Sequence, residues 1–149
     1  MVATVGHGGR PHASRGWGVT VLDGDRARIR LLLDADDAAL EANLRGGSRL
    51  AVNGTDVRTL DSVQTKGRVV SLEEADAVDR RRMRRHCDLF WGAVEEVDGF
   101  PREMTAHLIP RRLLACVAEL DEWYDQTPGP NAGQSLADPD AGPGSLGGR

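Results

Sequence analysis

Aromatic residues make up only 4% of this 149-residue chain, which excludes a broad surface for stacking nucleic-acid bases. A basic excess is missing too. The formal charge of −4 and an isoelectric point near 5.5 exclude a general nucleic-acid binder. No window is long and apolar enough to span a membrane. MVATVGHGG lacks a basic start followed by an apolar run, so no secretory signal is expected. The only cysteines, Cys87 and Cys116, lie far apart and form no metal-type spacing; two reduced, buried thiols in a cytoplasmic protein is the expectation. Neither His7 with His12 nor His86 with Cys87 has the spacing or the third ligand that a metal needs. No Ser-His-Asp grouping has a local signature.

What is present is alternation. A chain of this length fits one domain with a single moderate core. After a short β-type run over Met1 to Val5 and a GHGGRP turn, Ala13 to Leu22 alternates. Ala13, Trp17, Val19 and Val21 share one face, and Ser14, Gly16, Gly18 and Thr20 the other, a strand signal. LDGD supplies a hairpin turn. In the third strand Ala27, Ile29, Leu31 and Leu33 alternate with Arg26, Arg28 and Arg30, so one face is apolar and the other carries guanidinium groups. Asp34 or Asp36 then caps a short helix with Leu40 and Leu44 one turn apart, ended by Gly46-Gly47.

Ser48 to Asn53 and Ser62 to Val70 are the next strands; in the second, Val63, Thr65 and Val69 oppose Gln64, Lys66 and Arg68. Ser71 to Glu74 has the pattern of a capping box opening a long helix, with Ala75, Val78, Phe90, Ala93, Val94 and Val97 as its apolar stripe and Asp98-Gly99-Phe100-Pro101 as its end. The arginines at 80, 81, 82, 84 and 85 follow Glu73, Glu74, Asp76 and Asp79 at spacings that allow pairing on a solvated face. A short second helix is expected over Arg102 to Leu108. Leu113 to Leu120, apolar on both faces, reads as a strand buried on both sides. From Gln126 the composition shifts to Pro, Gly, Ala and Asp, which places a split into an ordered domain, 1–133, and a disordered tail, 134–149.

GRPHASRGWGVTVLDGDRARIRLLL, the helix ending in EANL, then RLAVNG and SVQTKGRVVSLEEAD resemble the pyridoxamine 5′-phosphate oxidase-like split-barrel family over roughly residues 2 to 125. WYDQTPGPNAG is similar to the closing stretch of some of its members. The resemblance implies a mainly β fold, a six-stranded antiparallel split barrel. It implies a cytoplasmic homodimer with flavin mononucleotide (FMN) at the subunit interface and a small-molecule substrate. The flavin ring is expected against Ser14, Arg15, Gly16 and Trp17 and against Gln64 and Lys66. Where the family holds the phosphate with a Thr and with Ser and Lys, this chain has Asp34, Ala38 and Leu40, so the anion site has lost its hydroxyls and its cation. Arg15, Arg28 and Arg30 are the nearest remaining cations for a flavin phosphate. The C-terminal Arg-x-His pair of the vitamin-producing enzymes is absent, which disfavours pyridoxal phosphate production. The family's short leading helix is missing too, so a truncated start is expected.

Two function classes follow. One is an oxidoreductase using FMN or the deazaflavin F420. The other is a non-catalytic split barrel that has lost flavin and holds haem or another flat ligand. Independently of that choice, residues 137–149 lack the apolar content to pack. Their deletion is expected to leave the melting temperature nearly unchanged in a thermal scan; a fall of several degrees would show that the tail docks.

Overall fold

In the computed structural model, which describes residues 1–23 and 27–136, seven strands build one antiparallel sheet. In chain order these are β1 (Val2–Val5), β2 (Pro11–Ser14), β3 (Gly16–Asp23), β4 (Arg28–Asp34), β5 (Leu50–Thr55), β6 (Ser62–Glu74) and β7 (Leu113–Asp125). Helix α1 (Ala38–Arg45) follows β4, and α2 (Ala77–Asp98) lies between β6 and β7. Part of the LDGD turn (Gly24 and Asp25), Arg26 and the tail from 137 lie outside the described residues. Among the described residues no helix is long and apolar enough to cross a membrane.

The sheet order is β2-β1-β5-β6-β7-β4-β3. Its two edge strands, β2 and β3, are consecutive in the chain and separated by Arg15 alone. The single strand expected over Ala13 to Leu22 is therefore two, which pair with β1 and with β4 at opposite edges of the sheet. The sheet thus closes through a covalent link where a continuous barrel would have a hydrogen-bond ladder. Seven strands stand where six were expected because of this break.

Alternation in β4 and β7 sets the core. Ile29, Leu31 and Leu33 of β4 meet Leu114, Cys116, Ala118 and Leu120 of β7, with Leu40 and Leu44 of α1 packed against them. Burying each large aliphatic side chain contributes about 1.5–3 kcal/mol. On the opposite face Leu32, Leu113 and Ala115 join Trp17, Met83 and Cys87 beneath α2. So Leu113 to Cys116, Ala118 and Leu120 are buried from both faces within one chain, with Val117 half-buried and Glu119 exposed.

Four local expectations change. Asp37, not Asp34 or Asp36, caps α1, its side chain accepting from the Leu40 N–H at 3.0 Å. Ser71 to Glu74 continues β6, with Glu74 opposite Leu114, because the ladder with β7 outcompetes the local capping pattern. Asp76 and Asp79 form the capping box instead. Val19 and Val21 are 55% and 68% exposed, since a register shift between Gly16 and Val19 breaks the expected alternation. The stripe of α2 runs through Asp79, Met83, Cys87 and Ala93, leaving Val78 and Val97 exposed.

Two close contacts fix the assembly. A Cβ on Gly67 would lie 2.1 Å from the Glu119 carbonyl oxygen, so β6 and β7 can approach there only at a glycine. Asp79 is 1% exposed and receives both Nε (2.9 Å) and an Nη (2.6 Å) of Arg30, whose other Nη reaches Glu73. The run of arginines at 80, 81, 82, 84 and 85 is exposed, while the acids expected to pair with it are held elsewhere: Glu73 and Asp79 by Arg30, Glu74 by Arg112. Arg30 holds the Asp79 carboxyl below the usual aspartate range. A depressed carboxylate adds stability above its unfolded pKa, and that stability disappears as pH falls through the folded value. Asp79→Asn is expected to cost about 3–5 kcal/mol at neutral pH, because it leaves a buried guanidinium short of its partner. In urea denaturation the loss should shrink as pH drops below the aspartate range; an equal loss at all pH values would remove this role.

Candidate functional site

A cavity of about 460 Å³ opens where the break at Arg15 meets α2. That volume suits a small organic ligand. One wall comes from Arg15, Gly16, Trp17, Gly18 and Val19, and a second from Val52 to Thr55 of β5. His86, Cys87, Phe90 and Trp91 of α2 form the third. Helical spacing puts His86 and Phe90 one turn apart, with ring centroids 6.0 Å apart and planes nearly parallel. Trp91 meets Phe90 edge-on at 4.8 Å. Gly18 has φ +144°, a backbone conformation that favours glycine, and a Cβ there would make only ordinary contacts with Leu32 at 3.5 Å and His86 at 3.8 Å.

The electrostatics are one-sided. The Arg15 guanidinium lies 5.5 Å from the Trp17 ring centroid and 5.3 Å from that of Trp91, held between two indoles. Among the described residues lining the cavity there is no carboxylate. Partial burial, and then the positive charge of the amino terminus, lower the His86 pKa from its ordinary value, which favours the neutral imidazole. Burial pushes the Cys87 thiol up, and Cys87 packs with its Sγ 3.5 Å from the Met83 sulfur. The Trp91 Nε1–H is buried without a hydrogen-bond partner.

Of the residues singled out from sequence, Arg15, Gly16 and Trp17 come together on the cavity wall. The other five line different surfaces. Ser14 donates its hydroxyl to Asp37. Arg28 lies 3.8 Å from Glu119, and Arg30 is engaged by Asp79 and Glu73. Gln64 is half-buried on β6 opposite Asn53 and Tyr124. Lys66 contacts Glu122 at 3.2 Å and stands over the Tyr124 ring. Sequence reasoning missed the α2 wall. Its signal was there: Phe90-Trp91 is an adjacent aromatic pair in a chain poor in aromatics, one turn after His86-Cys87.

At the turn after β4, the acids serve the protein itself. Besides capping α1, Asp37 has both oxygens 2.9 Å from His12 Nε2. Burial opposes ionisation of Asp37, but His12, the Leu40 N–H and Ser14 hold its carboxyl below the ordinary range. Asp34 accepts from the Asp36 N–H. A flavin phosphate has no cradle here, and two of its three nearest candidate cations are in ion pairs.

An antiparallel barrel that is split at one link and flanked by helices defines the fold as a split barrel, mainly β. Over 89% of this chain and 88% of the other, it is similar to the 1.70 Å crystal structure of HupZ from Group A Streptococcus, carrying V5 and hexahistidine tags, with a TM-score of 0.50 and 16% identity. No protein-family model matches the chain, and no curated protein matches it in sequence.

Losing two or three charge-assisted contacts weakens a phosphate by about 3–6 kcal/mol, or ~10²–10⁴ in affinity. Fluorescence titration with FMN and riboflavin is therefore expected to give weak, near-equal binding. FMN bound about a thousandfold tighter would reveal a working phosphate site.

Proposed function

We propose that the protein is a non-catalytic split-barrel binding protein for a flat hydrophobic ligand, with haem the best-fitting candidate. The cavity carries this reading: aromatic walls from Trp17 and Phe90, an Arg15 with no ion pair among the described residues, the imidazole of His86 with its pKa lowered, and no acid among the described lining residues. Among the described residues no three His, Cys, Asp or Glu side chains gather to hold a bare metal ion. A haem would carry its own ring nitrogens, and His86 would be the residue on the lining that holds its iron. Bound haem would supply iron able to carry an electron or a small gas. The chain's own contribution is to stack on the ring, exclude water and offer one nitrogen. Likeness of fold does not choose the ligand, since sites are grafted onto folds.

A flavin oxidoreductase, with FMN or F420 and a small-molecule substrate, is the second reading. It is favoured by Arg15, Gly16 and Trp17 lining a cavity where the resemblance places the flavin ring. The homodimer belongs to both readings. Val19, Val21 and Leu22 are exposed apolar groups on the edge strand β3, and Val19 also lines the cavity, so a second copy set against that edge would shelter the ligand. A cytoplasmic setting fits the two free, buried thiols.

Titration with haemin, followed by visible absorption, is expected to give a sharpened Soret band that shifts in His86→Ala. FMN and F420 should perturb the protein weakly under the same conditions. Tight, stoichiometric binding of a flavin with no haem band would overturn the reading in favour of the oxidoreductase.

A further inference from the structure

Arginines elsewhere in this fold meet carboxylates: Arg30 with Asp79, Arg49 with Asp121, Arg58 with Glu96, Arg112 with Glu74. Arg15 differs. It forms no ion pair among the described residues, and its position is set by the faces of Trp17 and Trp91. Its Cζ lies over both indole rings, and no hydrogen bond from its N–H donors is formed among the described residues. The adjoining wall carries one more unmatched donor, the buried Trp91 Nε1–H. A wall with spare donors and no acid is built for an anion.

The kind of anion follows from the count of charges. A phosphate dianion is ordinarily met by several cations or by the free N–H groups of a helix N-terminus. Here the α2 wall comes from residues 86–91, the middle of a helix that begins at Ala77, so its N–H groups are already paired within the helix. The amino terminus, the other cation on the lining, donates to the Asn53 carbonyl at 2.9 Å, and the Arg15 guanidinium with its planar fork of donors matches one carboxylate in both charge and shape. We infer that Arg15, clamped between Trp17 and Trp91, is a carboxylate subsite, and that the ligand is a planar hydrophobic acid lying with its carboxylate at the break between β2 and β3.

This inference rests on the flat-ligand reading, and the test separates the two. Metal-free protoporphyrin IX and its dimethyl ester share one ring and differ in their carboxylates, and leaving out iron removes any contribution from His86 ligation. Quenching of tryptophan fluorescence should show the diacid bound at least about tenfold tighter than the ester by the unmodified protein. Arg15→Gln should abolish that preference while ester binding persists, and Arg15→Lys should restore part of it. Circular dichroism of both variants checks that the barrel remains folded. Ester bound as tightly as diacid, or a preference that survives Arg15→Gln, overturns the carboxylate subsite alone. Absence of binding by both porphyrins overturns the flat-ligand reading and this inference with it.

Discussion

The ion pair between Arg30 and Asp79 fixes where α2 can lie. Asp79 belongs to the first turn of the helix and completes its capping box, so one carboxylate satisfies the start of α2 and anchors it to β4. Burying two charges costs desolvation, which good geometry must offset, so the pair is better understood as a constraint on register than as a source of stability. With Asp79 turned inward, Met83 and Cys87 follow at four-residue steps down the buried stripe. His86, Phe90 and Trp91 are then carried to the flank that faces β3. Rotating the helix by one residue would move all three away from Arg15.

The barrel was legible wherever one physical rule acted alone. In β4, Ile29, Leu31 and Leu33 alternate with arginines because one face is core, and they lie buried as that pattern requires. In β7 the absence of alternation was itself the signal, since both faces are covered. Legibility failed where two rules competed. Ser71 to Glu74 satisfies a capping pattern and also continues a strand, and only the presence of β7 alongside decides between them. Arg15 interrupts an alternating run without any sequence mark of a break, because the interruption comes from the two halves joining different neighbours.

The site was half legible for a similar reason. Arg15, Gly16 and Trp17 are adjacent in sequence and stood out as a group. Their counterparts on α2 are separated from them by some seventy positions, so only the folded chain brings the two sets face to face. Gln64 and Lys66 depend on their neighbours in a different way. Both are half-buried on β6, and Lys66 meets Glu122 and Tyr124 of the adjoining strand rather than the cavity. A polar strand face announces exposure; what it touches is decided by the neighbouring strand.

A sheet whose last joint is a peptide rather than a ladder has an unusual mechanical property. No inter-strand hydrogen bond joins β2 to β3, so at that joint the two edges are held by the backbone of one residue. That residue is Arg15, which also lines the cavity. The same residue therefore belongs both to the joint that closes the barrel and to the wall of the cavity.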